Sequence, residues 1–157
     1  MSKSLTRVTQ ALTAAGLNVK ISAMTQQTRT AAEAAEAAGV TLNQIVKSIL
    51  LQGGSGQLYL FLTAGGNQID PDLATTLTQD PLTRAEADTI RRITGFAIGG
   101  VSPIGHLTPL PTWFDPTLMQ FSEVWAAAGT PNHIFAIAPT ALLTVTRATQ
   151  ARFTLPN

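Results

Sequence analysis

The sequence contains no cysteine and carries little charge. Charged residues make up 12% of the 157 residues, and the net charge at pH 7 is +1. Without cysteine, the protein has no disulfide, no thiol nucleophile and no thiolate metal ligand. The near-neutral charge excludes a large electrostatic surface for nucleic acid, so any nucleic-acid partner should be contacted over a small area.

Targeting, membrane and metal-binding signals are missing as well. Residues 1–7 contain no signal-peptide core, and no apolar run reaches the roughly 18 residues that a transmembrane helix requires. The two histidines, His106 and His133, have no carboxylate pair at ligand spacing and make a poor metal site. We therefore expect a cytoplasmic protein that binds no metal.

Several short strands are predicted by alternating apolar segments and turn residues. The hydrophobic share of 45% is enough for one domain spanning residues 1–157. Residues 47–52 and 57–63 form the clearest hairpin, across a glycine-rich turn. Residues 123–128 and 133–138 are expected to pair in the same way.

Capping signals place short helices between these strands. Thr30 opens an alanine-rich helix, and Asp70 and Asp115, each followed by proline, cap two shorter ones. Residues 83–86 are expected to cap a helix that ends before Gly95. Without regular βαβ spacing, the pattern predicts an α+β fold, with a mixed, partly closed β-barrel-like sheet surrounded by short helices.

A glycine-rich segment, residues 95–105, is called the glycine loop below. Residues 96–98 are predicted to form a short strand, and residues 99–105 contain three glycines, Ser102 and Pro103. Glycine permits positive φ and close backbone approach, so such a loop can direct several N–H groups at one anion. A plain connection between strands is the alternative. Ser102 lacks a nucleophile-elbow context, so we expect it to shape the loop and contact substrate.

Lys47 is the charged residue that stands out. It is the only charged side chain between Glu36 and Asp70, and both faces of its predicted strand carry apolar residues. Such a lysine must extend its ammonium to water, find an anion or change its pKa. A strand-end lysine with a packed stem and a solvated ammonium is therefore an alternative to a functional role.

Taken together, residues 43–51, 99–103 and 124–129 resemble the YbaK/EbsC family, whose editing domains hydrolyse mischarged aminoacyl-tRNA. The family has a lysine at a position like that of Lys47, and its Gly-x-x-x-Pro loop matches residues 99–103. The resemblance covers roughly residues 4–148. It implies the fold of a prolyl-tRNA editing domain and an aminoacyl-tRNA deacylase that needs no cofactor.

The resemblance also implies roles for individual residues. The catalytic residues would be Lys47, which holds the 3′-terminal adenosine of tRNA and orients the ester, and Gly99 and Gly100, whose loop amides receive the oxyanion. A general-base role for Lys47 is the less favoured alternative, and the substrate's own ribose hydroxyl is expected to assist. The expected substrate-binding residues are Val101, Ser102, Pro103, Gly105, His106, Asn67 and Ala127.

The favoured substrate is tRNA(Pro) carrying alanine or another small non-cognate amino acid. Family members directed at cysteine resemble a Gly-Leu-Asp/Glu-Ile-Glu-Leu-Ala-Pro segment, and residues 132–139 lack its acids. This difference favours alanine, with Cys-tRNA(Pro) as the alternative. A non-catalytic module that binds the CCA end or a nucleotide, and a regulatory or scaffolding partner of a synthetase, are further alternatives. Prolyl-tRNA synthetase is a candidate partner, and the oligomeric state is left open.

Overall fold

The computed structural model describes residues 2–156. Within this range the chain forms five α-helices: α1 Lys3–Ala14, α2 Ala31–Ala38, α3 Pro71–Thr78, α4 Ala87–Thr94 and α5 Pro139–Thr146. The strands are β1 Ile21–Ala23, β2 Val46–Gly53, β3 Leu58–Ala64, β4 Leu82–Arg84, β5 Thr112–Phe114, β6 Val124–Ala127, β7 His133–Ile137 and β8 Thr149–Gln150. Two short 3₁₀ helices are formed by Leu42–Gln44 and Pro116–Gln120.

The strands form two sheets. In the larger sheet the order is β4-β2-β3-β5-β8, where β2 pairs antiparallel with β3 and β4, and β5 pairs parallel with β3 and β8. The smaller sheet is antiparallel with the order β1-β7-β6. A parallel bridge between Ile45 and Trp125 links the two sheets. The predicted mixed α+β fold is confirmed, and so are both predicted strand pairs.

Strand β2 is covered on both faces. Val46 and Leu50 belong to the main core, whereas Ile49 and Leu51 pack against a second cluster built around Phe61. Because successive strand residues point to opposite faces, Lys47 shares a face with Ile49 and Leu51. The prediction that neither face of this strand points to solvent is confirmed, which explains why its lysine is only partly exposed.

The helix-capping predictions are confirmed at three sites. The Thr30 side chain accepts a hydrogen bond from the Glu33 backbone at the start of α2. The Asp70 carboxylate caps α3, and the Asp115 carboxylate caps the second 3₁₀ helix, with proline at the first turn of each. These signals are local, so they succeed without knowledge of the tertiary structure.

Two local predictions are wrong. Residues 96–98 do not form a strand: they lie between Gly95 and Gly99, both with positive φ, and Phe96 is buried in the core while Ile98 is 60% exposed. Residues 83–86 do not cap α4, because Leu82–Arg84 pairs with β2 and the helix is preceded by Glu86 without a side-chain cap. In both cases the presence or absence of a pairing partner overrides the local pattern.

Candidate active site

A cleft with a volume of about 640 Å³ opens beside β2 and β6. Its lining includes Lys47 from β2, Ala127 from β6, and Gly99 and Val101 from the glycine loop. These residues come from three separate segments of the chain. The structure therefore places the isolated lysine and part of the glycine loop on one cavity.

Lys47 is half-buried, and its ammonium has a fixed partner. Its Nζ donates a hydrogen bond to the backbone O of Asn67 at 2.5 Å. Burial lowers the pKa of Lys47 below the ordinary lysine value, and the nearby Asp115 carboxylate partly opposes this shift. The ammonium is thus held at the cleft by groups that favour its charged form, while burial makes that charge easier to lose.

Asn67 supports Lys47 through the main chain, while its own side chain points to Asp115. Its Nδ2 donates to Asp115 Oδ2 at 2.9 Å and to Thr117 Oγ1 at 3.1 Å, and the residue is almost fully buried. Asp115 Oδ2 also accepts the Ala64 amide at 3.0 Å. Asn67 is not among the lining residues of the cleft, so the substrate contact expected of it is not the arrangement observed.

Within the glycine loop, the amides differ in their availability. The Gly100 N–H donates to Ala97 O at 3.1 Å, and a Cβ at this position would lie 2.9 Å from the Thr130 backbone. The N–H groups of Gly99 and Val101 have no acceptor among residues 2–156. The amide that we expected at Gly100 is therefore already used in a turn, whereas the flanking Gly99 and Val101, whose amides are unpaired, belong to the lining of the cleft.

The second half of the loop points away from the cleft. Ser102 is fully buried, and its Oγ accepts the Ile104 amide at 3.3 Å. Pro103 is also buried, and Gly105, with φ of +85°, lies where a Cβ would be 3.2 Å from the backbone N of Val8. None of these three predicted substrate-binding residues lines the cleft. Ser102 shapes the loop, as expected, but its hydroxyl has no surface for a direct substrate contact.

His106 holds the middle of the loop from inside the protein. Its Nε2 lies 2.6 Å from Ser102 O, and because a carbonyl only accepts, the ring must donate Nε2–H. Its ring packs edge-on against Phe96. Burial lowers the pKa of His106, and the charge of Arg7 lowers it further, against the opposing effect of the Ser102 carbonyl. The neutral imidazole is therefore a structural contact and does not line the cleft.

Among residues 2–156, the charged side chains that line the cleft are all positive. Arg29 and Arg84, both exposed, line it together with Lys47, and the lining contains no Asp, Glu or His among residues 2–156. Sequence reasoning missed both arginines, because each lies in an unremarkable local pattern far along the chain from Lys47. The combined cationic lining attracts anions although the protein as a whole is nearly neutral.

Two further polar atoms in the lining residues are buried without a partner. They are Ser48 Oγ and Trp125 Nε1, neither of which has a hydrogen bond within the described part of the chain. Trp125 packs against the small cluster of Ala34 and Ile45 and also lines the cleft. Buried groups of this kind are costly unless a water or a ligand satisfies them.

Residues 2–156 contain no group of three His, Asp or Glu side chains that could hold a metal ion. In the same range, every helix is too short or too polar to span a lipid bilayer. The cleft combines a cationic lining with apolar walls and with lining residues whose amides have no acceptor in the described part of the chain.

Comparison with known proteins places this chain in a family. The model of the aminoacyl-tRNA editing domain matches residues 25–145. The chain therefore belongs to the aminoacyl-tRNA editing domain family, it acts as an aminoacyl-tRNA deacylase, and its substrate class is aminoacyl-tRNA. The resemblance inferred from residues 43–51, 99–103 and 124–129 is confirmed.

Individual relatives agree with this assignment. The chain is 30% identical over 110 residues to the uncharacterised protein YwhH of Bacillus subtilis, covering 70% of each protein. It is 26% identical over 121 residues to EbsC of Enterococcus faecalis, a candidate Cys-tRNA(Pro)/Cys-tRNA(Cys) deacylase, covering 76% of this chain and 74% of EbsC.

Solved structures share the whole fold. A candidate trans-editing enzyme for prolyl-tRNA synthetase superimposes with a TM-score of 0.93 at 44% identity, covering 99% of both chains. The structure of a hypothetical protein superimposes with a TM-score of 0.88 at 27% identity, covering 95% of this chain and 99% of the other. The mixed α+β architecture is therefore the editing-domain fold.

Proposed function

We propose that the protein is a free-standing trans-editing deacylase that removes alanine, or a similarly small non-cognate amino acid, from tRNA(Pro). The observation that carries this proposal is that Lys47, Gly99 and Val101 line one cleft and that the Gly99 and Val101 amides have no acceptor in the described part of the chain. The likeness at 44% identity to a candidate trans-editing enzyme for prolyl-tRNA synthetase supports the choice of tRNA.

The chemistry is hydrolysis of the ester that joins the amino acid to the terminal ribose. Water attacks the carbonyl carbon, and the amides of Gly99 and Val101 stabilise the negative charge that develops on the carbonyl oxygen. The bond to the ribose oxygen then breaks, releasing the amino acid and a free 3′ end. Because no carboxylate or imidazole of residues 2–156 lines the cleft, we assign the proton transfer to the substrate's neighbouring ribose hydroxyl, which accepts the proton of the attacking water while its own proton passes to the leaving ribose oxygen.

In this scheme the cations bind the 3′ end of the tRNA. Lys47 holds the terminal adenosine through its phosphate or ribose, while Arg29 and Arg84 face the preceding phosphates. Leu42 and Ile98, 41% and 60% exposed, line the same cleft and offer apolar surface for a base. This small contact area agrees with the low net charge of the chain.

The acyl group would lie against the apolar part of the lining. A hydrophobic pocket distinguishes substrates that differ by one methylene by only about 1–3 kcal/mol. A synthetase therefore attaches some small non-cognate amino acids to its tRNA, and a second site has to hydrolyse the product. Residues 132–139 lack the acidic side chains found in the corresponding segment of cysteine-directed family members, which favours alanine. Cys-tRNA(Pro) is the second candidate, because the relative EbsC is named for that activity.

A deacylation panel tests the proposal. Purified protein is incubated with tRNA(Pro) carrying alanine, cysteine, serine or proline, and with alanyl-tRNA(Ala), each against a protein-free blank. We expect the fastest loss of ester from Ala-tRNA(Pro). Lys47→Ala should lower kcat/KM by about a hundredfold, because it removes a partly buried charged contact with the substrate. The control Lys3→Ala, which removes a lysine from the exposed face of α1, should leave kcat/KM unchanged.

The alternatives give different results in the same panel. A module that only binds the CCA end would leave every ester to decay at the blank rate while retaining affinity for tRNA. A scaffolding partner of prolyl-tRNA synthetase would co-purify with the synthetase without deacylation and would be insensitive to Lys47→Ala. Fastest hydrolysis of Cys-tRNA(Pro) would replace alanine by cysteine as the substrate.

A further inference from the structure

Arg7 of helix α1 binds both ends of the glycine loop. Its Nη2 donates to Gly95 O at 2.8 Å, and its Nε donates to Gly105 O at 3.2 Å. The guanidinium carbon also lies 5.0 Å from the centroid of the Phe96 ring. One planar group therefore connects the first and last residues of the loop and covers the aromatic anchor between them.

Without Arg7, main-chain hydrogen bonds would still join the two ends of the loop, but the loop would be held less rigidly. Main-chain hydrogen bonds from Leu107 N to Thr94 O at 3.0 Å and from Thr108 N to Ile93 O at 3.1 Å join the two ends of the loop next to the guanidinium. Removing Arg7 leaves these bonds intact, so the loop should not unfold. What is lost is the charged donor that sets the distance between the two glycine carbonyls.

Helix α1 itself lies tightly against the loop and its surroundings. A Cβ at Gly105 would lie 3.2 Å from Val8 N, and a Cβ at Gly129 would lie 2.9 Å from Ser4 O. Helix α1 therefore packs directly against backbone at two glycines, Gly105 at the end of the loop and Gly129 outside it. Arg7 also precedes the segment that the family model matches, residues 25–145, so the family assignment gives it no role.

We propose that Arg7 is a positioning residue for deacylation: by joining Gly95 and Gly105, it holds the free amides of Gly99 and Val101 where the ester oxyanion forms. This inference rests on the function proposed above. Arg7 acts through the loop and does not line the cleft, so its loss should affect the rate of the chemical step and leave substrate binding nearly unchanged.

The test compares Arg7→Met and Arg7→Lys with Lys3→Met, which removes an exposed cation from the same helix. We measure kcat and KM of each variant by single-turnover deacylation. The assays are run at a temperature at which urea unfolding shows every variant to be folded. Displacing a reacting group by about 1 Å costs up to about a hundredfold. We expect Arg7→Met to lower kcat by about ten- to a hundredfold with KM within about twofold, Arg7→Lys to fall between, and Lys3→Met to match wild type.

Loop order is measured separately, without activity. Arg7→Met should accelerate amide hydrogen exchange at Gly100, and it should raise the pKa of His106 in an NMR titration because a neighbouring positive charge is removed. Arg7→Lys should leave the His106 titration near that of wild type.

Each outcome decides the proposal. Unchanged kcat in Arg7→Met, or a loss confined to KM, would overturn it. If Arg7→Met does not fold, the same measurements on Arg7→Lys decide, with an unchanged kcat counting against the proposal. If the wild-type protein deacylates no substrate of the panel, the proposed function fails, and the exchange and titration data still show whether Arg7 orders the loop.

Discussion

Replacing Gly99 by alanine separates the backbone geometry of the loop from its chemistry. Gly99 has a φ of +93°, and a Cβ there would meet no atom within 4 Å, so alanine costs only backbone strain, about 1–3 kcal/mol. Gly56, in the turn between β2 and β3, has a φ of +92° and equally open surroundings, and it does not line the cleft. Gly99→Ala and Gly56→Ala should therefore lower the free energy of unfolding by similar amounts.

Their effects on catalysis should differ. Strain at Gly99 is relieved by rotating the backbone that carries the Gly99 and Val101 amides, whereas strain at Gly56 stays in a distant turn. Loss of one oxyanion donor lowers kcat by about 10²–10³-fold in comparable sites, so we expect at least about a tenfold loss for Gly99→Ala and none for Gly56→Ala.

Urea unfolding and single-turnover deacylation of the best substrate in the panel check both statements. Wild-type kcat in Gly99→Ala would refute the assignment of the loop amides to the oxyanion. An equal loss of kcat in both variants would show that overall stability, and not the position of the loop, limits the rate.

Three other predictions follow from charges and close contacts. Because burial lowers the pKa of Lys47, its ammonium should lose its proton at a pH below the ordinary lysine pKa of about 10.4. The KM for deacylation, obtained from rates corrected for spontaneous hydrolysis, should therefore begin to rise below that pH, and Lys47→Arg should abolish the rise. Arg84→Gln should reduce the slope of log affinity against log salt by about 0.7, whereas Arg92→Gln, an exposed arginine outside the lining, should not. Gly53→Ala should lower the free energy of unfolding by about 1–3 kcal/mol, since its Cβ would overlap the buried Asp80 carboxylate. A Cβ at Gly54 would lie 3.6 Å from Asp80 Oδ1, an ordinary contact distance, so Gly54→Ala should cost less than about 1 kcal/mol in urea unfolding. The first prediction is contradicted if KM of Lys47→Arg still rises at high pH, and the second if the salt slope of Arg84→Gln equals that of wild type. Equal free energies of unfolding for the two glycine variants would contradict the third.

Much of the fold could be predicted because its signals are local. The threonine cap at Thr30, the Asp–Pro pairs at Asp70 and Asp115 and the hairpin turn around residues 53–56 depend on neighbours only a few positions away. Residues 96–98 were mispredicted because an apolar triplet forms a strand only where another strand accepts its hydrogen bonds.

The site was predictable to a smaller extent. Lys47 could be singled out because it is the one charge in a long apolar stretch, and that property is visible in the sequence. Arg29 and Arg84 carry no such mark, and they become part of the cleft only because α2 and β4 are packed on either side of it. The role of Asp115 beyond its cap was hidden for the same reason, since Asn67 reaches it across the fold.

By itself, then, the amino-acid sequence determined the caps at Thr30, Asp70 and Asp115, how the central hairpin pairs and which lysine would be partly buried, because each depends on spacing within a few residues. Only the tertiary structure decided that the Gly100 amide is used internally, that the Gly99 and Val101 amides remain free, and that three cations share one cleft. Those outcomes depend on which distant segments pack next to these residues. Such packing produces no regular residue spacing in either segment, so it cannot be read from the sequence.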